Sequence, residues 1–381
     1  MPADNKKSAA VFIRRGFVWM LCFITVITQL SLFTEALEIS ARSAILIDAQ
    51  SGSVIYSKDS DRELPMASTT KIMTAIVAIE QVADIHEKIK IPDAAIGVEG
   101  SSIYLCKGEV LSLEDLLYAL LLASANDAAT AIAIHVGGSI EGFAELMNHK
   151  ARDIGLTRSH FENPHGLDNV EHYTTASDLA RLTAYALKNE TFKKIVSTKK
   201  KTIPFCGEDD RRLLVNHNRL LTSLDGAIGV KTGFTKKSGR CLVSAVERDG
   251  TILVAVTLNA PNDWNDHRLM HEYGYENYET VQLEEFSVRL PVISGVRTNV
   301  RCGVAEKIYR FMEKEHGEIS CTVELYQFAY APIKKGERLG TVFYTCDGEI
   351  IGEADIIAFE AVEKANQEYT IWDKIMDKIT K

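Results

Sequence analysis

Positive charge is in deficit in this sequence: 43 Lys and Arg stand against 52 Asp and Glu, a formal net charge of −9. That balance repels polyanions, so no nucleic-acid partner is expected, and it gives no general attraction to anionic lipid. Glycine and proline are sparse, at 24 and 8 residues, which excludes a collagen-like chain. No C-x-x-C pair, internal repeat or low-complexity tract occurs. With no C-x-x-C pair and no H-x-x-x-H helix read from the sequence, a metal site is not expected. What is present is an apolar fraction of 46% over 381 residues, enough for a sizeable core and about two domains.

The first residues read as an address rather than as fold. Lys6, Lys7, Arg14 and Arg15 precede the apolar run "GFVWMLCFITVITQLSLF", and Thr34 and Ala36 supply small residues for a signal peptidase. Residues 1–36 are therefore expected to be a signal peptide, with an uncleaved anchor as the alternative, and the chain to be exported. Cleavage would leave Cys106, Cys206, Cys241, Cys302, Cys321 and Cys346. An oxidising compartment permits disulfides among them, and the spacing does not decide their pairing.

The mature chain opens with two β-type runs in "SAILIDAQSGSVIYSKD". Helical patterns follow from Ser68, after the capping signal Ser112 with Asp115, and from Asp127 to His135. Strands return as a hairpin, "GRCLVSAVERDGTILVAVTLNA", turning at Asp249 and Gly250, before a helix in "WNDHRLMHEYGYENY". Strands at both ends with helices between them predict one antiparallel sheet flanked by helices, an α+β domain over 37–280. Short β-type runs with Gly and Pro punctuation predict a small all-β domain over 281–368. In the tail, 369–381, Ile371, Trp372, Ile375, Met376 and Ile379 gather on one helical face, a pattern suited to a membrane interface.

Chemistry concentrates in "LPMASTTKIMTAIVAIE". Ser68 sits at a helix start, where free backbone N–H groups favour a developing alkoxide, and Lys71 projects from the same face one turn on. Ile72, Met73, Ile76, Val77 and Ile79 surround this helix with apolar groups. A lysine held there loses hydration, its pKa falls, and the neutral amine becomes a base. A second S-x-x-K, Ser197 with Lys200 in "IVSTKKKT", has no buried run after it and reads as a solvated charge cluster. "ASANDAA" places Ser124 and Asn126 in a polar break between apolar helices, and "GVKTGFTKKSG" places Lys231, Thr232 and Gly233 at a strand start.

These elements, S-x-x-K, S-x-N and K-T-G in that order, together with "NPHGLD", "HYTTASDLA" and "GVKTGFT", resemble the low-molecular-mass penicillin-binding proteins that act as serine D-Ala-D-Ala carboxypeptidases. The resemblance runs from Ala44 to the end of the β-rich domain and implies the fold shared with serine β-lactamases. It implies that Ser68 attacks the carbonyl between two D-alanines, Lys71 takes the proton, and Ser124 relays it to the leaving amine. Asn126 would hold the substrate's amide, and Lys231 and Thr232 its carboxylate. The N–H groups of Ser68 and Phe234 would form the oxyanion hole, with Gly233 and Thr235 completing the binding strand. His165, His172 and His217 are expected to be structural. The implied partners are peptidoglycan stem peptides ending in D-Ala-D-Ala, β-lactam antibiotics, and the membrane surface through the C-terminal amphipathic helix. The implied location is the outer face of the cytoplasmic membrane, the cell wall or the periplasm. A D,D-endopeptidase shares the motifs. A β-lactamase would use Ser-Asp-Asn and a glutamate that this sequence does not clearly supply, and a non-catalytic wall-binding protein would be expected to have lost a reactive residue.

Overall fold

A computed structural model of the chain describes residues 37–206, 210–365 and 379. The signal segment expected over 1–36, and all of the expected tail helix but Ile379, lie outside them. Among the described residues no helix is long and apolar enough to cross a membrane.

The two ends of the first domain meet in one antiparallel sheet. Its five strands run in the order Val54–Lys58, Ser43–Asp48, Thr251–Leu258, Gly239–Arg248 and Ala227–Thr235. The hairpin turn places Asp249 and Gly250 at φ of 50° and 81°, the left-handed pair that matches strand twist. Ser112 and Asp115 form the expected capping box, starting the helix Leu113–Leu122.

The helix Lys71–Gln81 is buried on every side from Lys71 to Ile79. Helices Leu113–Leu122, Asn126–Gly137, Ile140–Asp153, Ala176–Leu187 and Glu190–Ser197 pack around it. Each of its buried Ile and Val side chains contributes about 1.5–3 kcal/mol through removal from water, so the helix start is fixed by the core rather than by its caps. The decoy is disposed of locally: Ser197 ends a surface helix and donates its hydroxyl to the carbonyls of Lys193 and Lys194.

The expected β-rich region contains a six-stranded sheet in the order Ile319–Leu325, Arg338–Cys346, Glu349–Ala358, Asn299–Gly303, Ser287–Ile293 and Ala329–Tyr330. Its own apolar core includes Leu290, Val300, Val342, Tyr344 and Ile356. The strand Tyr278–Gln282, which spans the expected boundary at 280, pairs with Tyr309–Glu313.

Cysteine chemistry, open in the sequence, resolves into one bond: Cys106–Cys206, spanning 100 residues. Cys241, Cys302 and Cys346 are buried thiols and Cys321 is an exposed one. Glu109 packs beside the disulfide, accepting from the N–H groups of Cys106 and Cys206 and pairing with Arg212 at 3.1 Å.

One H-x-x-x-H spacing, His267 and His271, runs against the reading of a chain without metal-ligand spacing. Both rings lie fully buried on the helix Asp263–Asn277. They bracket Ser244 Oγ at 2.6 and 2.7 Å, and the second nitrogen of His267 meets Thr257 Oγ1 at 2.9 Å. Three of the four ring nitrogens are thus engaged with hydroxyls in the seam between helix and sheet.

These histidines make stability acid-sensitive. Burial drives the pKa of His271 down to about 3 and that of His172 to about 3, and burial followed by the neighbouring His271 holds His267 well below the ordinary value of 6.5. The folded rings stay neutral while the unfolded chain takes up protons below about pH 6.5. Stability should therefore be fully present above that pH and decline as the pH falls toward 3. Each such ring adds a slope of about 1.4 kcal/mol per pH unit. Urea-unfolding midpoints at about pH 7.5, 6.5 and 5.5 test this; level midpoints across that range would show the rings to be solvated or already charged.

Candidate active site

The turn that carries Ser68, the expected nucleophile, is a short 3-10 segment, Ala67–Thr70, that feeds directly into Lys71–Gln81. Ala67 holds φ at +48°, a left-handed conformation costing about 1 kcal/mol for a residue with a Cβ. Neighbouring side chains hold the turn in place. Thr69 Oγ1 donates to Met66 O at 2.7 Å and Thr70 Oγ1 to Ala67 O at 2.8 Å. The buried His172 ring meets Thr70 Oγ1 at 2.7 Å and accepts from Glu162 N–H on its other nitrogen.

Lys71 is fully buried, and its Nζ has three neighbours: Asn126 Oδ1 at 2.7 Å, His165 O at 2.7 Å and Ser68 Oγ at 2.9 Å. Asn126 Nδ2 donates to the carbonyl of Glu99 at 2.6 Å, which fixes the amide so that its oxygen faces Lys71. Two of the three neighbours can therefore only accept. A neutral amine has two N–H groups to give them and one lone pair left, and that lone pair faces the Ser68 hydroxyl. Burial, then the Lys231 ammonium, holds the Lys71 pKa well below the usual lysine value, with the Asp127 carboxylate opposing. Lys231 is also fully buried, donates to Thr232 O at 2.9 Å, and has its pKa brought down to about 7 by burial.

Ser124 sits between helices Leu113–Leu122 and Asn126–Gly137 at φ +60°. Among the described residues its hydroxyl has no hydrogen-bonded partner. It lines a cavity of about 340 Å³ with Ser68, Ser101, Thr232, Gly233 and Phe234. Thr232, Gly233 and Phe234 belong to Ala227–Thr235, the edge strand of the sheet. An edge strand offers unpaired N–H and C=O groups to an extended peptide. Gly233 allows a close approach to the turn, since a Cβ there would stand 3.0 Å from Ser68 N and 3.2 Å from Met66 O, tighter than ordinary van der Waals contact. Thr235 Oγ1 donates to Asp168 Oδ1 at 3.0 Å, joining the strand to the "NPHGLD" segment.

Sequence reasoning passed over several contributors. The carbonyl of His165 rather than its ring touches Lys71; a backbone role leaves no residue-type signal. His165 itself is held near pKa 4 by burial and then by Lys71. Pro164 O accepts from Thr74 Oγ1 at 2.6 Å. Asp127 accepts from the N–H groups of Ile103 and Leu105, both at 3.1 Å, and fixes the loop behind Asn126. On the cavity rim, Arg219 and Arg240 flank Trp264 at 6.0 and 5.9 Å from its ring, and Asp263 holds Arg240 at 2.9 Å. His217 lines the same cavity, its pKa lowered by burial and then by Lys231.

Residues 31–262 match the family described as D-alanyl-D-alanine carboxypeptidase, and residues 275–364 match the C-terminal domain of penicillin-binding protein 5. The chain is 32% identical over 344 residues to D-alanyl-D-alanine carboxypeptidase DacF of Bacillus subtilis, covering 87% of this chain and 88% of that protein. It is 32% identical over 367 residues to D-alanyl-D-alanine carboxypeptidase DacC of Escherichia coli, with 90% of each covered. Penicillin-binding protein 5 from Haemophilus influenzae superposes with a TM-score of 0.74 at 27% identity, covering 86% of this chain and 98% of that one. The chain belongs to the D-alanyl-D-alanine carboxypeptidase family.

The seat of the nucleophile turn can be tested through stability alone. At Gly166, φ is +88° and a Cβ would fall 1.9 Å from Ala67 O; at Gly52, φ is +75° and nothing lies within 4 Å. Gly52→Ala should cost about 1 kcal/mol from backbone conformation. Gly166→Ala should cost more than about 3 kcal/mol, because the loop must also retreat from the turn. Equal losses in urea unfolding would mean that the loop does not press on the nucleophile.

Proposed function

We propose that this family member is a serine D-Ala-D-Ala carboxypeptidase in which Ser68 is the nucleophile and Lys71 the general base. The observation that carries the assignment is Lys71 Nζ between two obligate acceptors and the Ser68 hydroxyl. The lone pair takes the Ser68 proton as Oγ bonds to the carbonyl carbon between the two D-alanines. The resulting oxyanion is stabilised by the N–H groups of Ser68 and Phe234. Ser124, at the cavity wall with an unengaged hydroxyl, passes the proton to the departing amine as the C–N bond breaks. Water then attacks the acyl-enzyme, releasing the shortened peptide and restoring Ser68.

The peptide pairs along the edge strand at Thr232, Gly233, Phe234 and Thr235. Lys231 and Thr232 receive the terminal carboxylate, and the cationic rim at Arg219 and Arg240 favours the same free acid. Asn126 orients Lys71 in the unliganded site; for its Nδ2 to hold the substrate's amide, the bond to Glu99 O must be exchanged. β-Lactams enter by the same acylation, and the site has an acid, a base and donors enough to need no cofactor.

Penicillin exposure followed by mass spectrometry should give a single covalent adduct on Ser68. Ser68→Ala should abolish that adduct and lower D-alanine release from a pentapeptide by at least about four orders of magnitude. An adduct that persists in the variant on another serine, such as Ser197, would overturn the assignment.

For the chain as a whole, the proposed organisation is a signal segment over 1–36, the catalytic domain over 37–280, the β-rich domain over 281–368 and an amphipathic tail over 369–381. The tail's apolar face supports attachment to the outer face of the cytoplasmic membrane. Deleting residues 370–381 should free the cleaved protein from membranes while leaving D-alanine release in solution unchanged. A truncated protein that still sediments with membranes would place the anchor elsewhere.

A further inference from the structure

In the β-rich domain two arginines face each other across neighbouring strands. Arg289 on Ser287–Ile293 is directly opposite Arg301 on Asn299–Gly303. Like charges in that relation oppose strand pairing. The carboxylate that lines the same cavity, Glu360, is engaged by Arg297 and by the backbone N–H of Arg301. Arg301 lies over the Phe359 ring at 5.3 Å. Among the described residues the Arg289 side chain has no ion-pair or hydrogen-bonded partner. These groups, with Thr298 and Asn299, line a cavity of about 650 Å³. In a chain of net charge −9, a concave surface with an excess of guanidinium is a local inversion.

The surroundings identify the kind of surface it meets. Exposed apolar groups include Val296 on the cavity wall at 61%, Ile293 at the end of the strand that carries Arg289 at 40%, and Tyr330 on the adjoining strand at 65%, the last in edge-to-face contact with Phe328. Ile293 and Tyr330 are register partners in adjoining strands. Val296 N–H donates to Glu363 O and Ala365 N–H to Ser294 O, so Ala365, six positions before Ile371 in the sequence, is held beside the Ser294–Val296 loop.

We propose that the Arg289–Arg301 cavity is a phosphate-binding site for the headgroup of an anionic phospholipid. It would seat the β-rich domain on the bilayer beside the point where the tail enters it. Paired guanidinium forks recognise phosphate oxygens, and the aromatic and aliphatic groups alongside suit the headgroup boundary. The site rests on the membrane reading above and adds a lipid preference that an apolar tail alone does not provide.

The experiment is vesicle flotation of the mature chain with phosphatidylglycerol-containing vesicles and with phosphatidylcholine vesicles. Arg289→Gln should lower partition onto the phosphatidylglycerol vesicles about fivefold, and Arg289→Gln with Arg301→Gln about thirtyfold. Those changes correspond to about 1 kcal/mol per basic residue at an anionic surface. Partition onto phosphatidylcholine and D-alanine release in solution should not change. Because Arg289 has no native partner, Arg289→Gln should unfold no earlier than the parent in urea; earlier unfolding would assign the pair a structural role and overturn the site. Wild-type partition to phosphatidylglycerol vesicles by both arginine variants would likewise overturn it. If deletion of 370–381 alone then releases the protein, the membrane reading survives without the arginine site. If the parent chain floats with neither vesicle, both fail. Saturable binding of glycerol phosphate that depends on Arg289, with no arginine dependence on vesicles, would assign the cavity to a soluble phosphate and remove the lipid.

Discussion

The cleft depends on one lysine amine that the fold strips of water. A solvated lysine at neutral pH is charged and has no lone pair to offer Ser68. Lys71 can serve as the proposed base only because its helix is surrounded on every side by other helices, and because Lys231 sits near enough to oppose a second charge. Burying an amine is costly unless its remaining hydrogens are satisfied. Asn126 Oδ1 and His165 O accept them, so the free electron pair has one direction left. The core that gives the domain its stability and the arrangement that makes the amine basic are the same set of contacts.

A second constraint concerns how closely backbone may approach backbone. Gly233 on the edge strand and Gly166 in the loop both press on the turn that carries Ser68, one near Ser68 N and the other near Ala67 O. The turn is held from two sides while Ala67 keeps its left-handed conformation. Such strain persists where surrounding structure over-determines it. Thr70, Thr74 and His172 complete the enclosure, so the reactive hydroxyl is presented by backbone whose position is set by groups that take no part in the chemistry.

How much of this was legible in the sequence follows from what each residue uses to act. Ser68, Lys71 and Ser124 are proposed to act through side chains with a characteristic spacing, and the apolar run after Lys71 declared its burial. That the two ends of the domain share one sheet followed from β-type runs at both ends of a helical middle; the order of the strands did not. His165 acts through its carbonyl and Gly166 through an absent Cβ, and neither leaves a residue-type signature. Asn126 was assigned to substrate on family resemblance, whereas its place against Lys71 depends on Glu99, 27 positions away. The disulfide was undecidable because Cys106 and Cys206 are brought together by tertiary folding. His267 and His271 show the opposite failure: a metal-like spacing was present, and only the position of Ser244 on the sheet decides what the rings touch.

Charge distribution connects the two domains' separate demands. The cleft that holds Ser68 carries Arg219 and Arg240 on its wall, where the proposed substrate would present a carboxylate, within a chain whose overall sign is negative. Exposed charges farther apart than a Debye length, about 8 Å at physiological salt, are largely screened from one another. The net charge therefore governs solubility and non-specific contacts, while each cationic cavity keeps its own local field. An acidic protein can in this way repel polyanions in general and still present fixed cationic groups locally, as where Asp263 holds Arg240, Arg301 lies over the Phe359 ring and Lys231 is buried.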